Sequence, residues 1–215
     1  MVHIAAVVPA FNEAQRIGAV VAALVPRVDE VIVVDDGSRD DTAAIAEAAG
    51  ARVLRQASNQ GYIAALRRGI AAARAEVIVT LDADGEMPLD SIAALVAPIR
   101  EGRADMVQGR RNRVPRPSER LLTWLAALRG AVGDSGTGMR AIRRDLAQRL
   151  ELRGACICGT LALEVLAKGG RIAEVPIHLH RVNKPRRIAW FHLRQFFYLL
   201  PWLLRTHKNS SNERV

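Results

Sequence analysis

Short apolar runs alternate with longer amphipathic stretches through the first hundred residues of the chain. Strand-like runs fall at about 3–8, 31–35, 51–55 and 76–81, and helical periodicity at about 14–25, 41–49, 61–74 and 89–100. The strand runs are apolar throughout, as strands buried on both faces are. Pro26 follows the first helical stretch and Gly50 the second, the residues that close helices. This βαβα rhythm predicts an α/β fold with a mostly parallel sheet between helices. No internal repeat or low-complexity linker divides it.

The 215 residues, half of them hydrophobic, suit one domain with a substantial core. Met1-Val2-His3-Ile4 leads straight into the first strand, so no secretory signal is expected. Cys156 and Cys158 are too close in sequence to favour a disulfide, and half-buried or buried thiols are expected. The net charge of +9 points to anionic partners. Cations concentrate at Arg110, Arg111, Arg113 and Arg116, and again at Lys184, Arg186 and Arg187. Nucleic acid is not expected, because these runs lack interleaved aromatics and no helix-turn-helix or zinc pattern appears.

Candidate chemistry centres on residues 77–86, where an apolar strand runs into Asp82, Asp84 and Glu86. In an extended segment alternate side chains point the same way, so these carboxylates are expected to converge. Converging carboxylates call for a cation, and a hard divalent ion held jointly with substrate phosphates is the natural one. Strand one ends in Pro9-Ala10-Phe11-Asn12-Glu13 and strand two in Val34-Asp35-Asp36-Gly37-Ser38, at the same expected sheet edge. Asp40-Asp41-Thr42 is read as a helix cap. No phosphate-cradling Gly-x-x-x-x-Gly-Lys loop or dinucleotide Gly-x-Gly-x-x-Gly turn follows strand one.

Pro9-Ala10-Phe11-Asn12-Glu13, Val34-Asp35-Asp36-Gly37-Ser38, Asn59-Gln60-Gly61 and Asp82-Ala83-Asp84 resemble, in order and spacing, the family 2 glycosyltransferases. Gly109-Arg110-Arg111 and Asp134-Ser135-Gly136-Thr137-Gly138-Met139-Arg140 extend the likeness. Glu174-Val175-Pro176-Ile177, with Arg181 and Arg187 beyond, is similar to the dolichyl-phosphate mannosyltransferase branch. The resemblance implies a GT-A fold, the nucleotide-diphospho-sugar transferase architecture. It also implies a GDP- or UDP-sugar donor, a polyprenyl phosphate acceptor and Mg²⁺ or Mn²⁺. Pro9, Phe11, Glu13, Val34 and Asp36 would surround the base and ribose. Asp82, Ala83, Asp84 and Glu86 would hold metal and diphosphate, and Arg111, Arg181 and Arg187 would meet phosphates. Asp84 and these arginines are the residues it implies for catalysis. GDP-mannose is the donor it favours. The expected reaction is an in-line displacement by the acceptor phosphate that inverts the anomeric carbon.

The sequence departs from the family pattern at Ile63, where a second Gly is usual, and at Glu86, where Gln or Ser is usual. Lys184, Pro185, Arg186 and Arg187 replace an Arg-x-x-Gly-x-Ser-Lys ending. No His or carboxylate stands out as a general base. His178 and His180 share a strand face but lack a third metal ligand. A phosphate acceptor would need no base, since its second pKa is about 6.

Two amphipathic stretches, 118–133 and 188–207, suggest a membrane surface. The first begins with Ser118 and Glu119 as a cap and carries Leu121, Leu122, Trp124, Leu125, Leu128 and Val132. The second places Arg187, Arg194, Tyr198 and Arg205 on one stripe of an otherwise apolar helix, with Trp190 and Trp202 for the boundary. A core or oligomer-interface helix is the alternative. The expected organisation is a transferase domain at 1–187, an interfacial helix at 188–207 and a disordered tail at 208–215. The expected location is cytoplasmic, peripheral at the inner face of the plasma membrane. Two other readings are a family 2 transferase using UDP-glucose and a soluble or glycan acceptor, and an inactive nucleotide-sugar-binding scaffold.

Overall fold

A computed structural model of the chain describes residues 2–112, 117–130, 132–154, 156–179 and 191–204. Its elements are β1 (Ile4–Ala10), α1 (Ala14–Leu24), β2 (Glu30–Asp35), α2 (Thr42–Ala48), β3 (Arg52–Arg55), α3 (Tyr62–Ala72) and β4 (Val77–Thr80). A 3-10 turn (Leu89–Ser91) leads into α4 (Ile92–Arg100), then β5 (Met106–Arg111), α5 (Pro117–Ala127) and β6 (Arg140–Arg143). The chain continues through α6 (Arg144–Ala147), α7 (Thr160–Ala167), β7 (Ile172–Ile177) and α8 (Phe191–Leu204). The strands form one sheet in the order β3-β2-β1-β4-β6-β5-β7. β6 alone runs antiparallel to its neighbours.

Every residue of β1 and of β4 is buried, the outcome of covering both faces of the sheet. Alternate residues feed two cores. Ala5, Val7, Ile32, Val34 and Ile78 pack under α3, α5, α7 and α8, whereas Ala6, Val8, Val31, Val33 and Val79 pack under α1, α2 and α4. The expected parallel sheet is therefore present across β3-β2-β1-β4. The antiparallel β6 was not anticipated, and the path of the chain explains it. β5 ends at the same edge where the 133–139 loop is tied, through Arg111 N–H donating to Asp134 Oδ2 (3.0 Å) and Gly109 N–H donating to Met139 O (2.9 Å). The chain therefore re-enters the sheet from that edge and must run back down.

The helix expected over 118–133 ends at Ala127. Gly130 lies beyond it, packed so closely that an added Cβ would meet Leu166 Cδ1 at 2.8 Å. Val132 is buried outside the helix. The stretch expected as one helix from 89 starts as a 3-10 turn after Pro88. Of the 188–207 stretch, 191–204 is helical. Arg113, Arg116, His180, Arg181, Lys184, Pro185, Arg186, Arg187, Trp190, Arg205 and the tail at 208–215 lie outside the described residues, as does the side chain of Trp202.

Gly69 of α3 touches β1 directly, since a Cβ there would overlap Val7 Cγ1. Gly69→Ala would gain about 1 kcal/mol in helix propensity. Overpacking against Val7 costs about 1–3 kcal/mol and should outweigh it. We expect a lowered Tm in thermal melts, and an unchanged or raised Tm would contradict this close approach.

Candidate functional site

Register brings the acidic strand ends to one edge. Ala10 lies opposite Asp35, and Val7 opposite Thr80. Asp36 N–H donates to Ala10 O (2.8 Å) and Leu81 N–H to Val7 O (3.2 Å), carrying both chains past the last paired residues. Residues 11–13, 36–38 and 82–86 therefore emerge together at the carboxyl end of the parallel strands, where open α/β sheets bind ligands.

The first two of these loops interlock. Asn12 adopts a left-handed conformation (φ 54°), so that its N–H donates to Ser38 Oγ (2.9 Å) while its Oδ1 accepts from Arg39 N–H (2.9 Å). Glu13 N–H donates to Thr42 Oγ1 (2.8 Å) and Ala14 N–H to Asp40 Oδ2 (3.2 Å). Asp40 and Thr42 thus satisfy unpaired donors at the start of α1, besides starting α2 through Thr42 N–H donating to Asp40 Oδ1 (3.1 Å). Phe11 is exposed at the rim, whereas Pro9 and Val34 are buried behind it. The Glu13 carboxylate pairs with Arg16 (2.7 Å). Glu13 holds Arg16 above its ordinary value, with smaller contributions from Asp84 and Glu86, so this exposed cation faces the acidic loop.

Asp36 is buried and saturated with donors. Its Oδ1 accepts from Gln60 N–H (2.7 Å) and Gln56 Nε2, and its Oδ2 from Gly61 N–H (2.8 Å). It anchors the loop before α3. Gly37 (φ 73°) is required beside it, since a Cβ would meet the Ser58 backbone at 2.6 Å.

Asp82, Asp84 and Glu86 are partly exposed, and Ala83 is buried between the aspartates. The expected convergence of all three carboxylates does not form. β4 ends at Thr80, and 83–85 is a turn in which Glu86 N–H donates to Asp84 Oδ1 (3.0 Å) and Gly85 takes a positive φ (72°). The alternation of an extended strand therefore no longer applies. Among the described residues no group of three or more His, Cys, Asp or Glu side chains is gathered to hold a metal. Asp82 and Asp84 still offer only hard oxygen donors at the ligand edge. That chemistry fits a divalent ion completing its shell with phosphate and water. Asp82 packs against Gly138, where a Cβ would come within 2.5 Å of Asp82 Oδ2, and it borders a cavity of about 160 Å³ beneath the 81–89 loop.

Arg111 lies at the other side of the site, buried rather than presented to solvent. Its Nε donates to Asp134 Oδ2 (2.7 Å), and its Nη2 to Asp134 Oδ1 (2.8 Å) and Glu119 Oε2 (2.8 Å). Burial works against its charge, but Asp134 and then Glu119 outweigh burial and raise its pKa. This triad binds β5, the 133–139 loop and α5 to one another. Glu174 of β7 adds a brace, its Oε1 accepting from Gln108 Nε2 (2.8 Å) and from the N–H groups of Gly133 and Asp134. Arg110 is the exposed member of the Arg110-Arg111 pair. His178 is exposed just beyond β7.

Sequence reasoning quoted Asp134, Arg140 and Glu174 only as motif letters and read Glu119 only as a cap. It missed Tyr62 and Arg16. Tyr62 opens α3 directly beneath Asp82, and its buried phenol is pushed well above the usual range, by burial first and the Asp82 charge second. Nothing in its spacing marked it.

The family described as glycosyl transferase family 2 matches residues 5–151. Among curated proteins the chain is similar to a dolichyl-phosphate hexose transferase of Haloferax volcanii, 36% identical over 81% of each chain. It is also similar to an undecaprenyl-phosphate 4-deoxy-4-formamido-L-arabinose transferase of Shewanella sediminis, 29% identical over 80% of this chain and 57% of that one. Among solved structures it resembles glucosyl-3-phosphoglycerate synthase of Mycobacterium tuberculosis, at TM-score 0.81 and 28% identity over 94% of this chain and 81% of that one. That synthase has also been crystallised with Mn²⁺, uridine diphosphate and glucosyl-3-phosphoglycerate.

Truncating a buried charge pair leaves its partners unpaired and costs about 3–5 kcal/mol. Arg111→Ala should therefore destabilise the chain by about that amount in urea titration, which an effect below about 1 kcal/mol would contradict.

Proposed function

We propose that this chain, which belongs to glycosyl transferase family 2, moves a hexosyl group from a nucleotide diphosphate sugar onto a polyprenyl phosphate at a membrane surface. The observation that carries the choice of acceptor is an apolar stripe on α5 and α8. Leu121, Trp124 and Leu128 follow helical spacing on and just after α5, with Trp124 59% exposed. Phe197 (65% exposed) and Tyr198 are neighbouring exposed aromatics on α8, which packs beside α5. The other face of α8 is fixed to the protein by Gln195 and Leu199, both fully buried, and Arg129 Nη2 donates to Leu203 O. Arg120 and Arg194 are exposed alongside the stripe. Aromatic and aliphatic side chains flanked by arginines suit an anionic bilayer surface. No helix among the described residues is long and apolar enough to cross a membrane. The contact we propose is peripheral, at the cytoplasmic face.

In this reading Pro9, Phe11, Glu13, Val34 and Asp36 shape the base and ribose pocket, Asp36 by holding the loop before α3. Asp82 and Asp84 would hold Mg²⁺ or Mn²⁺, an ion that would supply positive charge to offset what builds on the leaving nucleoside diphosphate. Arg181 and Arg187 meet phosphates, and Arg111 acts by bracing the 133–139 loop. An acceptor phosphate oxygen attacks the anomeric carbon while the bond to the diphosphate breaks and its electron pair leaves with the nucleotide. The configuration inverts. The nucleophile is already charged at neutral pH, so the chain must position it and screen its charge rather than deprotonate it.

GDP-mannose is the proposed donor. UDP-glucose with a soluble phosphorylated acceptor is the second reading, favoured by the likeness to the phosphoglycerate-using synthase. Labelled GDP-mannose and UDP-glucose, each offered with polyprenyl phosphate or 3-phosphoglycerate and Mn²⁺, separate the two. Label in the organic phase with an inverted anomeric configuration is expected, whereas label only in a water-soluble product would overturn the lipid acceptor. Asp84→Ala should abolish the Mn²⁺-dependent part of thermal protection by GDP or UDP, and full protection would contradict the metal assignment. The double variant Trp124→Ser, Phe197→Ser should lose flotation with anionic phospholipid vesicles while keeping its Tm. Equal flotation would contradict the membrane contact.

A further inference from the structure

The hydroxyl of Tyr62 is buried and has no hydrogen-bond partner of sound geometry among the described residues. A buried phenol left unsatisfied costs about 1–3 kcal/mol, so its retention calls for an explanation. Its surroundings supply one. Tyr62 directly follows Gly61, whose N–H donates to Asp36 Oδ2 (2.8 Å). The loop pinned by the end of β2 therefore carries the ring across β1 to the end of β4, where Asp82 stands.

Arg140 enters the same pocket from the start of β6. Its guanidinium is buried, with Nη2 donating to Ser135 O (2.9 Å) while Nε and Nη1 have no partner among the described residues. Burial lowers its pKa, and Tyr62, Asp134 and Asp82 all lie near enough to act on it. Gly138 closes the remaining side of Asp82, its carbonyl accepting from Thr80 Oγ1 (3.1 Å). The Asp82 carboxylate is thus bordered by the Tyr62 hydroxyl, the buried Arg140 guanidinium and the close approach of Gly138.

We infer that Tyr62 is a positioning residue, whose buried hydroxyl orients the Asp82 carboxylate so that it presents an oxygen to a divalent cation bound with the donor diphosphate, with the Arg140 guanidinium as the fixed charge beneath. The inference rests on the proposed function, which assigns Asp82 to the metal. Groups that orient ligating side chains in this way typically govern metal affinity by about 10–100-fold.

The test uses the full chain and its Tyr62→Phe variant, with Mn²⁺ titrated at fixed GDP or UDP and free Mn²⁺ read by electron paramagnetic resonance. Thermal melts without ligand run in parallel. Phe keeps the ring packing and removes only the hydroxyl. The expected result is an unchanged or higher Tm together with Mn²⁺ affinity weakened on the order of tenfold in the nucleotide complex. A merely structural hydroxyl would not produce that pair of outcomes. Equal Mn²⁺ affinity in the two proteins, with or without a change in Tm, overturns the inference and leaves the proposed function standing. If the parent chain binds no Mn²⁺ with either nucleotide, both fall together.

Discussion

Parallel strands in register deliver their carboxyl ends to one edge, and in this chain those ends are acidic. The resulting concentration of negative charge is the constraint to which the surrounding structure answers. Asp36 accepts from three donors and becomes the anchor of the loop before α3. Asp40 is drawn into capping two helices. Asp134 and Glu119 are matched by the buried Arg111. Asp82 and Asp84 differ in remaining partly exposed at the mouth of the site. The division is physical: the buried carboxylates serve as internal struts, and those facing solvent are the ones we propose for a cation and an anionic ligand.

The same division explains why the site is rigid where it is. Three loops, after β1, β2 and β3, are cross-linked by side-chain bonds to backbone N–H groups. On the other side Arg111 and Glu174 tie β5, β7, α5 and the 133–139 loop into one body. The loop carrying Asp82 and Asp84 lies between these two braced halves, beside Gly138 of one and above Tyr62 of the other.

Much of the first half of the fold was legible in the sequence. Continuous apolar runs such as Val31 to Val34 and amphipathic stretches of regular period announce buried strands and covering helices directly. Later elements were harder to read, because β6 is only Arg140–Arg143 and its direction depends on a loop held by Asp134. In the site the acidic positions were visible, but their fates were not. Nothing local distinguishes Asp36, which accepts three hydrogen bonds, from Asp82. Arg111 looked like a phosphate fork because its partners, Asp134 and Glu119, are 23 and 8 residues away. The convergence of Asp82, Asp84 and Glu86 assumed an extended backbone that the turn at Gly85 interrupts.

The central claim is that Asp82 and Asp84 share a divalent cation with a nucleotide's diphosphate at the carboxyl edge of β4. A crystal structure of the chain soaked with Mn²⁺ and a nucleoside diphosphate tests it most directly. The account predicts the ion bridging at least one of these carboxylates to both phosphates, with the base on the Phe11 side. A diphosphate lodged elsewhere, or both carboxylates turned away from the ion, would contradict it.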